Sequence, residues 1–114
     1  MQIYHLASPA DAAAWQASGQ YSVQSLDIEG FIHCCTAEQI GGVLSRYFAE
    51  QHEIVLFLIN DGTLGERLVW ENTVGGEERF PHIYHKLDAS DIKSQHRLSR
   101  IEMDQVIQGE YLLP

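Results

Sequence analysis

The chain has 114 residues, 45% of them hydrophobic, enough for one domain that buries about two-thirds of its unfolded surface. Sixteen acidic residues against seven basic ones give a formal net charge of -9, which opposes sequence-independent binding to a phosphate backbone. No apolar run approaches the ~18 residues of a membrane span and no signal-peptide pattern opens the chain, so a cytoplasmic protein with neither nucleic-acid nor membrane partner is expected.

Residues 2–7 are β-prone, with Ile3 and His5 on one face and Tyr4 and Leu6 on the other. Ser8, Pro9 and Asp11 then supply an N-cap, a first-turn proline and a first-turn acid, and Gly19 closes the predicted helix. Residues 21–30 read as irregular or extended. GFIHCC, residues 30–35, reads as a strand with Phe31, His33 and Cys35 on one face and Ile32 and Cys34 on the other. Thr36 with Gln39 forms a capping-box pattern, and Ile40, Val43, Leu44 and Tyr47 at helical spacing predict a second helix to about Glu50.

EIVLFLIN, residues 53–60, is apolar almost throughout and is followed by Asp61-Gly62, which predicts a central strand covered on both faces. Further strands are expected at 67–72, 79–87 and 94–101, separated by Gly75-Gly76 and the DASD turn. Pro81 has no N–H for a ladder, so its segment is expected at a sheet edge or to pair only after the proline. Two early helices and five or six strands make the chain α+β, a single domain over 1–114 with a short tail at 102–114.

Among the histidines, His5, His33, His82 and His85 fall within predicted strands. One such histidine taken alone is more often a satisfied imidazole than a ligand. Alternation groups His5 with Ile3, His33 with Phe31, and His82 with Phe80 and Tyr84, while His85 faces the other way. If the three strands lie side by side, His5, His33 and His82 converge. Glu71 and Glu29 are the nearest carboxylates, and Glu29 reads as a solvated loop residue.

Metal chemistry has little support: there is no CxxC, no HExxH, and the adjacent Cys34 and Cys35 point to opposite faces. No phosphate loop or nucleophile elbow is present. The charge is uneven, with Arg46 the sole base before residue 67, so a phosphate group would meet Arg67, Arg79, Lys86 or Arg97.

The segments IYHLA, DIEGFIHCCT, LVWEN and FPHIY, in this order, resemble the bacterial family known as domain of unknown function 952, over about residues 2–98. Cys35 stands where that family's pattern suggests a small polar residue, and His85 where it suggests glycine. The family in turn resembles the ADP-ribosyltransferase-like fold, a split antiparallel β structure with helices at its side. That resemblance implies a ribose contact for His5 and a nicotinamide-stacking aromatic near His33. It places His82 close to the position where transferases carry a catalytic glutamate, as in the tRNA 2′-phosphotransferases that also lack it.

The expected function is a histidine-lined pocket for a nucleotide-like or ribose-containing small molecule, NAD among them, with group transfer by His5, His33 and His82. Tyr84, Trp70, Glu71 and Cys35 are the expected ligand-binding residues. The alternatives are a non-enzymatic binding module of the same fold and a metal-dependent hydrolase using His33, Cys35 and His82.

Overall fold

A computed structural model describes residues 2–72 and 75–114. The first strand, β1 (Ile3–Ala7), leads into α1 (Pro9–Ser18). Ser8 Oγ accepts the Asp11 N–H at 3.1 Å, and Gly19, at φ 78°, donates its N–H to the Trp15 carbonyl at 2.8 Å. Both ends of α1 thus form as expected, by an N-cap and a left-handed glycine stop. Where irregular chain was expected, the short strand β2 (Gln20–Tyr21) and the helix α2 (Gln24–Ile28) form. Val23 caps α2 with no side-chain hydrogen bond, so no capping residue announces it.

The GFIHCC strand is shorter than expected: β3 is Ile32–His33, after which Cys35 exchanges two backbone hydrogen bonds of 2.8 Å with Tyr4. The helix α3 (Ile40–Tyr47) then starts later than the Thr36 pattern suggests. Gln39 Oε1 accepts the Thr36 N–H, but the same side chain donates to the Arg79 carbonyl at 2.6 Å, so half of the capping box ties a turn to another segment.

The strand β4 (Glu53–Ile59) is followed by single 3-10 turns at Asp61–Thr63 and Gly65–Arg67. Next come β5 (Leu68–Glu71), β6 (Phe80–Ile83), β7 (Leu87–Asp88), β8 (Ile92–Ser99) and α4 (Arg100–Ile107).

The strands form three antiparallel sheets, ordered β1-β4-β8, β2-β7 and β3-β6-β5. Strand β4 is central, as its continuous apolar sequence requires, and its two faces feed two cores. Val55, Phe57 and Ile59 face Ala12, Tyr21, Ile32 and Ile83, with Trp15 alongside. Ile54 and Leu56 face Ile40, Leu44, Met103 and Val106. The small sheets therefore lie across the first core, and α3 and α4 cover the second. The α+β class stands, with four helices where two were expected.

Two expectations are corrected. Strand β6 is not an edge but central in its sheet: toward β5 Pro81 pairs with Trp70, whereas toward β3 the pairing runs only after the proline, at His82 and Ile83. The Pro81 carbonyl accepts the Cys34 N–H at 3.0 Å, so its nitrogen faces the same side, where the chain leaves β6 to bridge β1. The missing donor falls where the ladder ends anyway. The C-terminal segment is not a bare tail, because Ser99 and Glu102 form a reciprocal capping box that starts α4. Ser-x-x-Glu was readable at residues 99–102 but overlapped the end of the segment taken for a strand. Among the described residues no helix is long and apolar enough to cross a membrane.

Candidate functional site

The register His33↔His82↔Val69 puts three side chains on one face of β3-β6-β5, with Phe31, Tyr84 and Glu71 displaced by two residues along their segments and so on that face too. The opposite face carries Ile32 and Ile83 into the core. Strand periodicity thus separates packing from chemistry within a few residues.

His82 is buried, with its ring stacked on Phe31 at 4.1 Å between centroids and 12° between planes. Its Nδ1 lies 2.8 Å from Glu71 Oε1. The same carboxylate oxygen accepts the Tyr84 hydroxyl. These two hydrogen bonds, Tyr84 first and His82 second, hold Glu71 below the usual carboxylate range, so it is ionised at neutral pH. An ionised carboxylate only accepts; Nδ1 of His82 therefore carries a proton, which leaves Nε2 as the ring nitrogen able to act as a base. Nε2 has no hydrogen-bond partner, and the buried unpartnered side-chain atom among the described residues is Nε1 of Trp15, so Nε2 keeps contact with solvent.

His33 stands edge-on to His82 with centroids 5.2 Å apart, and its Nε2 is 3.0 Å from Glu29 Oε1. Glu29 follows α2, so the unannounced helix is what carries this carboxylate to His33. The site therefore holds two carboxylate-bound imidazoles, one buried and one exposed.

His5 does not join them side by side, because β1 belongs to a different sheet. Its Nδ1 lies 2.6 Å from the His33 carbonyl, and its Nε2 lies 2.7 Å from the Tyr21 hydroxyl. A carbonyl cannot donate, so Nδ1–H donates to it and Tyr21 donates to Nε2. Burial pushes the His5 pKa down to about 4, which keeps the ring neutral, and burial likewise raises the Tyr21 phenol. His5 meets His33 through backbone alone and positions its strand.

Between β1, α3 and the end of β3 lies a cleft of about 560 Å³, bordered by His5, Tyr21 and His33 and, on its apolar side, by Val43, Tyr47 and Phe80. Cys35 borders it as well, but it is buried and its thiol is pushed up to about 12 by burial. Such a thiol is a packing residue and a poor nucleophile. Trp70 alternates away from Glu71 onto the other face of β5, where it is 39% exposed. Among the described residues no three His, Cys, Asp or Glu side chains are placed to hold a metal ion. The set His33, Cys35 and His82 is separated because Cys35 turns toward β1.

Sequence reasoning underrated Glu29 and passed over Tyr21, Asp11 and the role of Phe31 as a stacking partner of His82. Only the i, i+4 spacing of Glu29 and His33 hinted at the first of these.

Fold and site together define a small α+β protein with paired histidine–carboxylate groups on one short sheet. The chain belongs to the family described as protein of unknown function (DUF952), whose model matches residues 6–95. It is similar to protein CC0527 from Caulobacter crescentus. The crystal structure of CC0527 shares 33% identity over 87% of each chain with a TM-score of 0.78. Its solution NMR structure shares 34% identity over 86% of this chain and 84% of that one, with a TM-score of 0.75. No curated protein matches the chain.

Proposed function

We propose that the Phe31–His33–His82 face is an acid–base site for a small ribose-containing ligand, NAD-like molecules among them, and that it transfers a group from that ligand to water or another hydroxyl. The observation that carries this reading is the Glu71–His82 pair: a buried imidazole, oriented by an ionised carboxylate, whose open Nε2 reaches solvent. This is the arrangement by which a carboxylate fixes the tautomer of a general base.

The ADP-ribosyltransferase-like resemblance supports a nucleotide as ligand, and it gives the histidine a meaning. A carboxylate is present, but it stands behind the imidazole, so the site is built to remove a proton more than to face a cationic sugar. Nε2 takes the proton of the attacking hydroxyl, its oxygen bonds to the anomeric carbon, and the N-glycosidic bond breaks with its electron pair leaving on the departing base. His33 holds the ligand, Tyr84 and Glu71 position His82, and Phe31 keeps the ring flat against the sheet.

The test is saturation-transfer NMR with NAD and simple nucleosides, followed by an assay of base release. Binding with release that falls about 10²-fold or more in His82→Ala or Glu71→Gln supports the reading. Absence of both binding and release removes it. Binding without release favours a non-enzymatic module, a second reading supported by His5: both of its nitrogens are engaged internally, so the ribose contact implied by resemblance is not free.

A further inference from the structure

The cleft beyond His33 has a one-sided electrostatic character that the acid–base reading does not use. The charged groups in its lining are the carboxylates of Asp11 and Glu29, with neither a lysine nor an arginine among the described lining residues; the nearest recorded cation is the Arg46 guanidinium, 5.9 Å from the centroid of the Tyr47 ring. His5 adds no charge at neutral pH, since burial holds its pKa at about 4. It offers no free N–H either, because Nδ1 donates to the His33 carbonyl and Nε2 accepts from Tyr21.

The first turn of α1 would ordinarily attract an anion. Here Ser8 Oγ already accepts the Asp11 N–H, and the Asp11 carboxylate supplies the negative charge itself. The Glu29 carboxylate is shared with His33 at 3.0 Å, which leaves Asp11 without a side-chain partner among the described residues.

The rest of the lining mixes aromatic and apolar side chains, with Tyr4, Tyr21, Val43, Tyr47, Phe48 and Phe80 the largest, and the neutral polar Ser8, Gln24 and Ser25. Aromatic faces attract cations through the ring quadrupole, and they do so more strongly where water is thinned out. A volume of about 560 Å³ lies within the ordinary range for small-molecule pockets.

We propose that this cleft is a binding site for a hydrophobic organic cation, a quaternary ammonium or N-alkylated heteroaromatic ring held by aromatic walls and by Asp11 and Glu29. It disfavours a phosphate or carboxylate group inside the cleft itself, so a phosphate-bearing ligand on the neighbouring His82 face would keep its phosphates outside it. The proposal rests on the cleft's own charge and walls, so it stands or falls independently of His82 chemistry.

Ligand-observed NMR and chemical-shift mapping on the full chain, with phenyltrimethylammonium, its uncharged isostere tert-butylbenzene, and benzoate at equal concentrations, test it. Phenyltrimethylammonium is expected to bind about five-fold or more tightly than tert-butylbenzene, with shifts at Tyr21, Val43 and Tyr47, and benzoate is expected not to bind. Asp11→Asn should weaken the cation about three-fold or more and leave tert-butylbenzene unchanged; Glu29→Gln provides a second variant should the first unfold. Equal binding of cation and isostere, preferential binding of benzoate, shifts confined to other surfaces, or no binding by any probe would each overturn the proposal.

Discussion

Strands β4 and β6 are both central in their sheets, yet they are built on opposite principles. In β4, seven residues run almost without interruption through two apolar cores. In β6, four residues alternate between a core face and a face whose histidine is held by a neighbouring strand's carboxylate. Burial alone specifies the first; the second needs Glu71, Phe31 and Tyr84 to be in place. Their histidine neighbours show the same division. His5, paired in register with Phe57 of β4, is sealed with both nitrogens used, while His82 of β6 keeps one nitrogen open.

The largest expected effect breaks the β4 side. Phe57 is fully buried against Trp15 and Tyr21, so Phe57→Ala should destabilise the fold by about 3–5 kcal/mol, read as a drop in the urea midpoint. A loss comparable to that of an exposed substitution would mean that β4 is not the organising strand.

A pH series sharpens the contrast between the two buried histidines. The His5 pKa falls from 6.5 to about 4 on folding, so between these values the unfolded chain binds the extra proton. Stability is therefore retained above about pH 6.5 and lost as pH falls toward 4, by up to about 3 kcal/mol. His5→Gln should flatten that part of the pH–stability curve in chemical denaturation. An unchanged curve would show that His5 is not held neutral by the fold.

The smallest effect is expected at Trp70, which is 39% exposed on the face of β5 away from Glu71. Trp70→Ala should shift stability by about 0.5 kcal/mol or less and leave nucleotide binding in saturation-transfer NMR unchanged. A large loss of binding would place the ligand across the other face of the sheet.

Much of the framework was legible because its signals are local. Ser8 and Gly19 bracket α1, and the apolar run at residues 53–60 marks a strand with two covered faces. The capping pair Ser99 and Glu102 was equally local, but it sat within a segment whose β-prone residues competed for the same reading. Helix α2 was not legible: five residues without a side-chain cap are held by what they pack against. The candidate site divides in the same way. Alternation correctly grouped His33, His82, Phe31 and Tyr84 on one face, since side-chain direction along a strand is a local property.

The sequence by itself determined which residues share a strand face, where α1 begins and ends, and that residues 53–59 lie at the centre of a sheet. Periodicity and capping are set by chemistry a few residues apart. Only the tertiary structure decided that β1 pairs along its length with β4 and meets the chain after β3 at one bridge alone, so that His5 turns to Tyr21 while His33 and His82 stand together. It also decided that Glu29 and Glu71 become the partners of those two imidazoles. Sheet order and the meeting of distant carboxylates depend on which faces bury the most apolar surface together, a sum over the whole chain that no single segment contains.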